Sequence, residues 1–398
     1  MPEQHLVVVG ASLAGLRAVE AARRAGYEGE ITLVGAEEHL PYDRPPLSKE
    51  FLTGEVEPNY FRDEESLRTE LEVDLRLGTA ASELRPTERT VVAGGAELAY
   101  TGLVIATGAR ARELPGTPAL DGVYTLRGLD DARRVRAALG PGVRTVIVGA
   151  GFIGSEIASS ARATGAEVTV LEAAPVPLAG AVGERMGAAC AGLHQRNGTD
   201  VRCRATVAAI EGAGAVESVV LDDGTRLSAD VVIVGIGAVP ETRWLAGSGV
   251  ALDDGVVCDE TLNAGFPGVY AAGDIARWPN PLFGETMRLE HWTTAAEQGG
   301  LAARNAIDPE QARPCATVPY FWSDWYGSRI QFVGVPTADE VRVAAGDVSA
   351  DSFLALYRRG EHVCGALGLN QRRPVMKLRA LIAKHGTWQD ALDVAAAG

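Results

Sequence analysis

"VIVGAGFIGSEIA", residues 146–158, decides how this chain is read, because an earlier stretch, "VVVGASLAG", residues 7–15, has the same form. Each is a short apolar run, then a glycine turn, then small residues that open a helix. A strand that turns at once into a helix leaves the first N–H groups of that helix facing whatever lies over the turn. The glycine positions follow from this geometry. One makes a tight turn, one lets backbone approach a bound pyrophosphate, and one lets helix and strand pack closely. Gly149, Gly151 and Gly154 meet all three needs; Gly10, Ser12 and Gly15 meet them with a small hydroxyl residue in the middle.

The flanking pattern agrees. Residues 6–9, 31–34, 146–148, 168–171 and 231–234 read as strands, and 15–25, 129–140 and 154–164 read as helices. Their alternation predicts βαβ units and parallel sheets. The expected fold is α/β: two Rossmann-like dinucleotide-binding domains and a small C-terminal α+β domain. Residues 1–110 with 239–308 form the first domain, 111–238 the second and 309–398 the third. The third shows alternating runs at 329–333, 340–344, 353–357 and 363–369, then a basic helix from about 373 to 384.

Two turns imply two dinucleotides, and FAD with a nicotinamide nucleotide is the economical pair, since hydride passes between them. Glu172 lies 18 residues after Gly154, at the end of the next strand, where a ribose-binding acid belongs. Its charge would oppose a 2′-phosphate by about 4 kcal/mol for a unit-charge pair roughly 4 Å apart, which favours NADH over NADPH. Two further small-residue turns repeat each other beside the cofactors: Ala106-Thr107-Gly108 and Gly235-Ile236-Gly237. In "VYAAGD", residues 269–274, Asp274 after Gly273 reads either as an acceptor for a flavin ribityl hydroxyl or as an ordinary helix N-cap.

Composition limits the rest. A chain of 398 residues, 46% hydrophobic, suits two or three domains. A net charge of −15 argues against nucleic-acid binding. No apolar run reaches membrane-spanning length, and the first residues lack a basic segment before residues 6–9, so a cytoplasmic location is expected. Cys190, Cys203, Cys258, Cys315 and Cys364 are scattered without a Cys-x-x-Cys pair, which reads as reduced thiols with no metal site. Arginine outnumbers lysine 34 to 3, a bias that reads as genomic.

The order of motifs resembles the glutathione-reductase-fold flavoproteins, and most closely the putidaredoxin-reductase-like, NADH-dependent ferredoxin reductases that serve bacterial monooxygenases and dioxygenases. The stretches that carry the resemblance span nearly the whole chain: "GASLAG", "LPYDRPPLSKEFL", "LVIATGAR", "VYTLRGLDDA", "VIVGAGFIGSE", "VYAAGDIA", "EHWTTAAEQG" and "VPYFWSDWYG". The resemblance implies non-covalent FAD held by Leu13, Ala14, Arg44, Lys49, Ala81, Arg127, Asp274, Glu290, His291 and Trp292. It implies NADH contacts at Phe152, Ile153, Glu156 and Glu172. Lys49 near the flavin ring, Glu156 near the nicotinamide end and Trp322 at the flavin edge are the implied catalytic residues. Ala36 stands where the family has an acid for the FAD adenosine ribose; either Glu37 substitutes from the next position or the contact is lost. Val176 replaces a common basic residue, and the run Trp325-Tyr326-Gly327-Ser328 is less polar than usual.

The implied chemistry is hydride transfer from NADH to FAD, then single electrons to an iron–sulfur ferredoxin of the two-iron kind. Rubredoxin reductase and NADH oxidase are the rivals of the same fold, and a redox-sensing FAD/NADH binding protein is the rival of another class. A disulfide or peroxide reductase needs an early redox cysteine, and none precedes Cys190. The C-terminal domain escapes the general acidity, with 10 basic and 9 acidic residues between 309 and 398. Arg313, Arg329, Arg358, Arg359, Arg372, Arg373, Lys377 and Arg379 are candidates for a ferredoxin-docking patch near the C-terminal domain and flavin edge. A monomer and a homodimer both fit the sequence.

Overall fold

A computed structural model describes residues 4–397. The fold divides into two compact units. One holds the chain up to Asp43, Asn59–Arg110 and Val239–Pro319; the other holds Arg44–Pro58, Ala111–Ala238 and the chain from Tyr320 onward.

In the first unit, five parallel strands run in the order Val269–Ala271, Gly102–Ile105, His5–Val9, Glu30–Val34, Val73–Arg76. Near-continuous apolar runs suit strands covered on both faces, and Leu6, Val7 and Val8 are fully buried. The helix Leu13–Arg24 follows the first strand and packs closely on Trp292–Ile307. Gly299 permits that approach, since a Cβ there would lie 2.1 Å from the Ala14 carbonyl oxygen.

The second unit repeats the plan. Its parallel sheet runs Asp200–Cys203, Glu167–Glu172, Arg144–Val148, Val231–Val234, Val123–Thr125. The helix Phe152–Ala163 follows the central strand. The pairing registers match: Val9 sits opposite Val34 and Ile105, and Val148 opposite Leu171 and Val234. The motif duplicated in sequence is therefore duplicated as a sheet.

The second unit also holds an antiparallel sheet ordered Tyr320–Trp325, Ser328–Gly334, His362–Leu369, Phe353–Arg359, Glu340–Gly346. Two helices follow it, Arg372–Ile382 and Trp388–Ala396. Residues 44–58 belong to this unit although their chain position placed them in the first domain. Their short helix Glu50–Thr53 packs on Leu129–Ala138 and Phe152–Ala163, with Phe51 and Leu52 buried.

Candidate functional site

The two glycine turns share one construction. Gly10 has φ of 121° and Gly149 of 102°, conformations that side chains rarely adopt. A Cβ on Gly10 would lie 2.1 Å from the Ala106 carbonyl oxygen, and one on Gly149 2.4 Å from that of Gly235. This explains the repeated small-residue turns: Ala106-Thr107-Gly108 and Gly235-Ile236-Gly237 each back the first glycine of a fingerprint. The Thr107 hydroxyl donates to the Glu241 carbonyl at 2.9 Å and anchors the first of them. Gly15 and Gly154 press on the turn below, with a Cβ placed 1.9 and 2.0 Å from the Gly10 and Gly149 carbonyl oxygens.

The middle positions differ in kind. Ser12 (φ −120°, ψ −160°) and Gly151 (φ −75°, ψ −168°) are extended N-cap residues, so neither needs glycine for its backbone. A Cβ on Gly151 would meet nothing within 4 Å. This is open space over a helix N-terminus, the cradle a pyrophosphate fills. Glu172 completes it. Its Oε2 accepts from the Ala150 N–H at 2.6 Å and its Oε1 from the Ala174 N–H at 2.8 Å. The carboxylate is thus fixed at the fingerprint with lone pairs left for a ribose hydroxyl. Ile153 in the first helical turn is 42% exposed, unusual for its size, and Phe152 packs on Phe321 with ring centroids 4.4 Å apart.

By register, the position equivalent to Glu172 in the first unit is Gly35, because Gly10 N–H donates to the Val34 carbonyl as Gly149 N–H does to that of Leu171. A side chain at Gly35 is blocked, since its Cβ would lie 2.6 Å from that of Ala11. Ala36 and Glu37 are exposed, and Glu37 accepts the Tyr42 hydroxyl on Oε2 at 2.6 Å. Also in this unit, Trp292 opens the helix Trp292–Ile307 and donates from Nε1 to Asp43 Oδ1 at 2.8 Å. Burial pushes the imidazole of His291, its N-cap, down to about 4, against the pull of Asp274. Asp274 is the middle residue of the 3₁₀ turn Gly273–Ile275, whose cap position falls on Ala272; the ordinary N-cap reading of Asp274 therefore does not hold. Glu290 pairs with Arg288 at 2.8 Å, and Ala81 starts the strand Ala81–Arg85.

The second unit gathers a buried polar cluster. Lys49 Nζ lies 2.8 Å from Glu156 Oε2, which also accepts the Ser48 hydroxyl at 2.5 Å. Glu156 Oε1 accepts the Ser323 hydroxyl at 2.6 Å. The Ser160 hydroxyl donates to the Ser48 carbonyl at 2.8 Å and ties the segment to the fingerprint helix. Arg44 donates to the Arg127 carbonyl at 2.9 Å. Lys49 and Glu156 are thus brought together, while Trp322 is not brought to them. Alternation along Tyr320–Trp325 turns Phe321, Ser323 and Trp325 to the buried face, whereas Trp322 shares the other with Tyr320, 5.9 Å away. Ser48 and Ser323 are cluster members that sequence reasoning passed over; both sit inside the quoted motifs, beside or near residues already singled out.

These residues fit FAD and NADH: two helix N-termini behind glycine turns, one open cradle and one positioned carboxylate. Cysteine chemistry does not fit. All five thiols are free, and burial pushes Cys190, Cys258 and Cys315 up to about 12, which leaves them unionised at neutral pH.

Comparison with known proteins agrees. Residues 4–299 match the pyridine nucleotide-disulphide oxidoreductase family, and residues 320–396 match the reductase C-terminal family. The chain is 34% identical to the 3-phenylpropionate/cinnamic acid dioxygenase ferredoxin–NAD(+) reductase component of Photorhabdus laumondii, over 96% of this chain and 97% of that protein. It is 39% identical to the biphenyl dioxygenase system ferredoxin–NAD(+) reductase component of Paraburkholderia xenovorans, over 89% of this chain and 86% of that one. The crystal structure of the covalent putidaredoxin reductase–putidaredoxin complex superposes with a TM-score of 0.92 at 30% identity, covering 99% of this chain and 98% of that one.

The chain therefore belongs to the pyridine nucleotide-disulphide oxidoreductases. Within them it is an NADH-dependent, FAD-containing ferredoxin reductase.

Proposed function

We propose that the first fingerprint, Gly10, Ser12, Leu13, Ala14 and Gly15 with Ala106–Gly108 behind it, holds the FAD pyrophosphate. The second, Gly149, Gly151 and Gly154 with Gly235–Gly237 behind it, takes NADH. FAD held at the first fingerprint would supply a hydride acceptor for NADH and a source of single electrons for an iron–sulfur centre. The chain's residues position rather than react. Glu172 orients the NADH ribose and disfavours a 2′-phosphate. Ile153 and Phe152 offer apolar surface at the helix entrance. Lys49 serves the flavin ring, and Glu156, tied to Lys49, serves the nicotinamide. Arg44, Ala81, Arg127, Asp274, Glu290, His291, Trp292 and Trp322 complete the FAD contacts. Glu37, steadied by Tyr42, takes the part of the missing acid at Ala36.

The observation that carries this reading is the duplicated turn, whose second copy has open space at Gly151 and a carboxylate, Glu172, fixed by two backbone N–H groups. The acceptor we propose is an acidic two-iron ferredoxin of an oxygenase system, working in the cytoplasm. It docks on the helix Arg372–Ile382, where Arg372, Arg373 and Lys377 are exposed. Stopped-flow reduction by NADH, followed by mixing with a two-iron ferredoxin, with rubredoxin and with oxygen, tests it. Fast bleaching and fastest reoxidation by the ferredoxin are expected. Reoxidation that is fastest with rubredoxin or oxygen would assign the chain to another acceptor.

A further inference from the structure

The run after "FWSD", less polar than usual, is turned into the fold of the second unit. Trp325 and Ser328 flank a two-residue hairpin whose central residues both have positive φ, 51° at Tyr326 and 79° at Gly327. That is the type I′ geometry, but with a tyrosine where asparagine or glycine is usual. A bulky residue held there marks a turn fixed by its surroundings. Those surroundings are present. The Tyr326 N–H donates to the Ser159 hydroxyl at 2.8 Å, and the Tyr326 hydroxyl shares hydrogens with His194 Nδ1 at 2.8 Å and Thr199 Oγ1 at 2.7 Å. The His194 ring lies against the Trp325 ring, centroids 4.8 Å apart.

The turn fixes the indole. Trp325 is fully buried, and its Nε1–H donates to the Ser323 hydroxyl at 2.7 Å. An indole nitrogen only donates, so Ser323 must accept from it. The serine's single hydrogen then goes to its other buried neighbour, Glu156 Oε1, at 2.6 Å. Glu156 is thereby held from both sides: Ser323 on Oε1, Ser48 and Lys49 on Oε2.

We propose that Trp325 is a positioning residue for Glu156, acting through Ser323, with the Tyr326 turn and His194 as its mount. The inference rests on the reading that Glu156 serves the nicotinamide. A hydroxyl aimed by an immobile donor keeps the carboxylate in one orientation; without that donor the hydroxyl rotates and the carboxylate gains freedom.

The test compares Trp325→Phe, Ser323→Ala, Ser323→Thr, the Trp325→Phe/Ser323→Ala double variant and Glu156→Gln, all with FAD bound. Measured are the limiting rate of flavin reduction by NADH, the NAD+ dissociation constant and visible difference spectrum, and the thermal midpoint. W325F keeps an aromatic side chain at the site and removes the donor together with part of the buried indole's volume, which the thermal midpoint reads. W325F and S323A should each lower the limiting rate about three- to ten-fold and leave the NAD+ dissociation constant within about two-fold, because the fingerprint and Glu172 are untouched. S323T should match the parent rate. The double variant should be no slower than S323A, since the indole acts only through the serine. Additive losses, a parent-like rate for S323A, or rate losses that follow the thermal midpoint and are not rescued by threonine would overturn the proposal. A parent-like E156Q would instead remove the reading of Glu156 on which it rests.

Discussion

His194 is fully buried, touches Tyr326 through Nδ1 and has no partner at Nε2 among the described residues. A second proton on this ring would have no acceptor, and burial pushes the imidazole from 6.5 down to about 4. The folded protein thus binds this proton less well than the unfolded chain. The contribution, about 3 kcal/mol at most, is complete above pH 6.5 and is lost as pH falls from 6.5 toward 4. Thermal midpoints recorded across that window should drop, and His194→Gln should flatten the drop. Equal slopes in parent and variant would refute it. His291 moves in the same direction, so the flattening is partial. Residues of this kind were the least legible in the sequence. Glu172 was readable from spacing alone, because a strand end is a fixed address in a βαβ unit. Ser323 and His194 were not, because their partners Glu156 and Tyr326 lie over a hundred positions away.

At the scale of the element, glycines at successive points of one turn separate folding from binding. Gly149→Ala places a Cβ 2.4 Å from a backbone carbonyl at a φ of 102°, whereas Gly151→Ala places one in open space. The first variant should be several kcal/mol less stable. The second should melt like the parent and bind NAD+ at least about ten-fold more weakly, as read by calorimetric titration and thermal unfolding. Equal stability of the two would contradict the backed-turn construction. Strands and parallel topology were legible because β-branched runs and glycine turns are local signals. The helices begin at Leu13 and Phe152, two residues before the starts at 15 and 154 that the sequence pattern predicts. The third fingerprint glycine lies inside the first turn, as close packing on the strand requires. The last helix, Trp388–Ala396, lies beyond the pattern's final predicted helix and is started by a capping box: Thr387 accepts from the Asp390 N–H and Asp390 Oδ2 accepts from the Thr387 N–H.

For the molecule as a whole, charge separates two roles. Of the basic residues expected in a docking patch, Arg329 is forked onto Asp324, Arg358 is paired with Glu340, Arg359 donates to the Thr337 carbonyl, and Arg379 lies over the Tyr320 ring. Arg313 belongs to the first unit. Arg372, Arg373 and Lys377 remain, exposed on one helix whose other face is buried. Reversing Arg372 and Arg373 to Glu should slow reduction of an acidic ferredoxin about ten-fold or more at low salt and spare reduction of a small dye. Added salt should shrink the difference. Equal losses with both acceptors would dismiss the patch. Sequence gave the sign of this region but not which cations were already engaged, since pairing depends on strand register.

The sealed sulfurs have a consequence for how the chain withstands oxidants. Four of the five are buried, and Cys203, half-buried next to Glu172, is shifted upward as well. Sulfenylation begins with an accessible thiolate, and this chain presents none of that kind. Stray hydrogen peroxide from uncoupled turnover should therefore leave the reductase working, and alkylating agents such as iodoacetamide should be poor inhibitors.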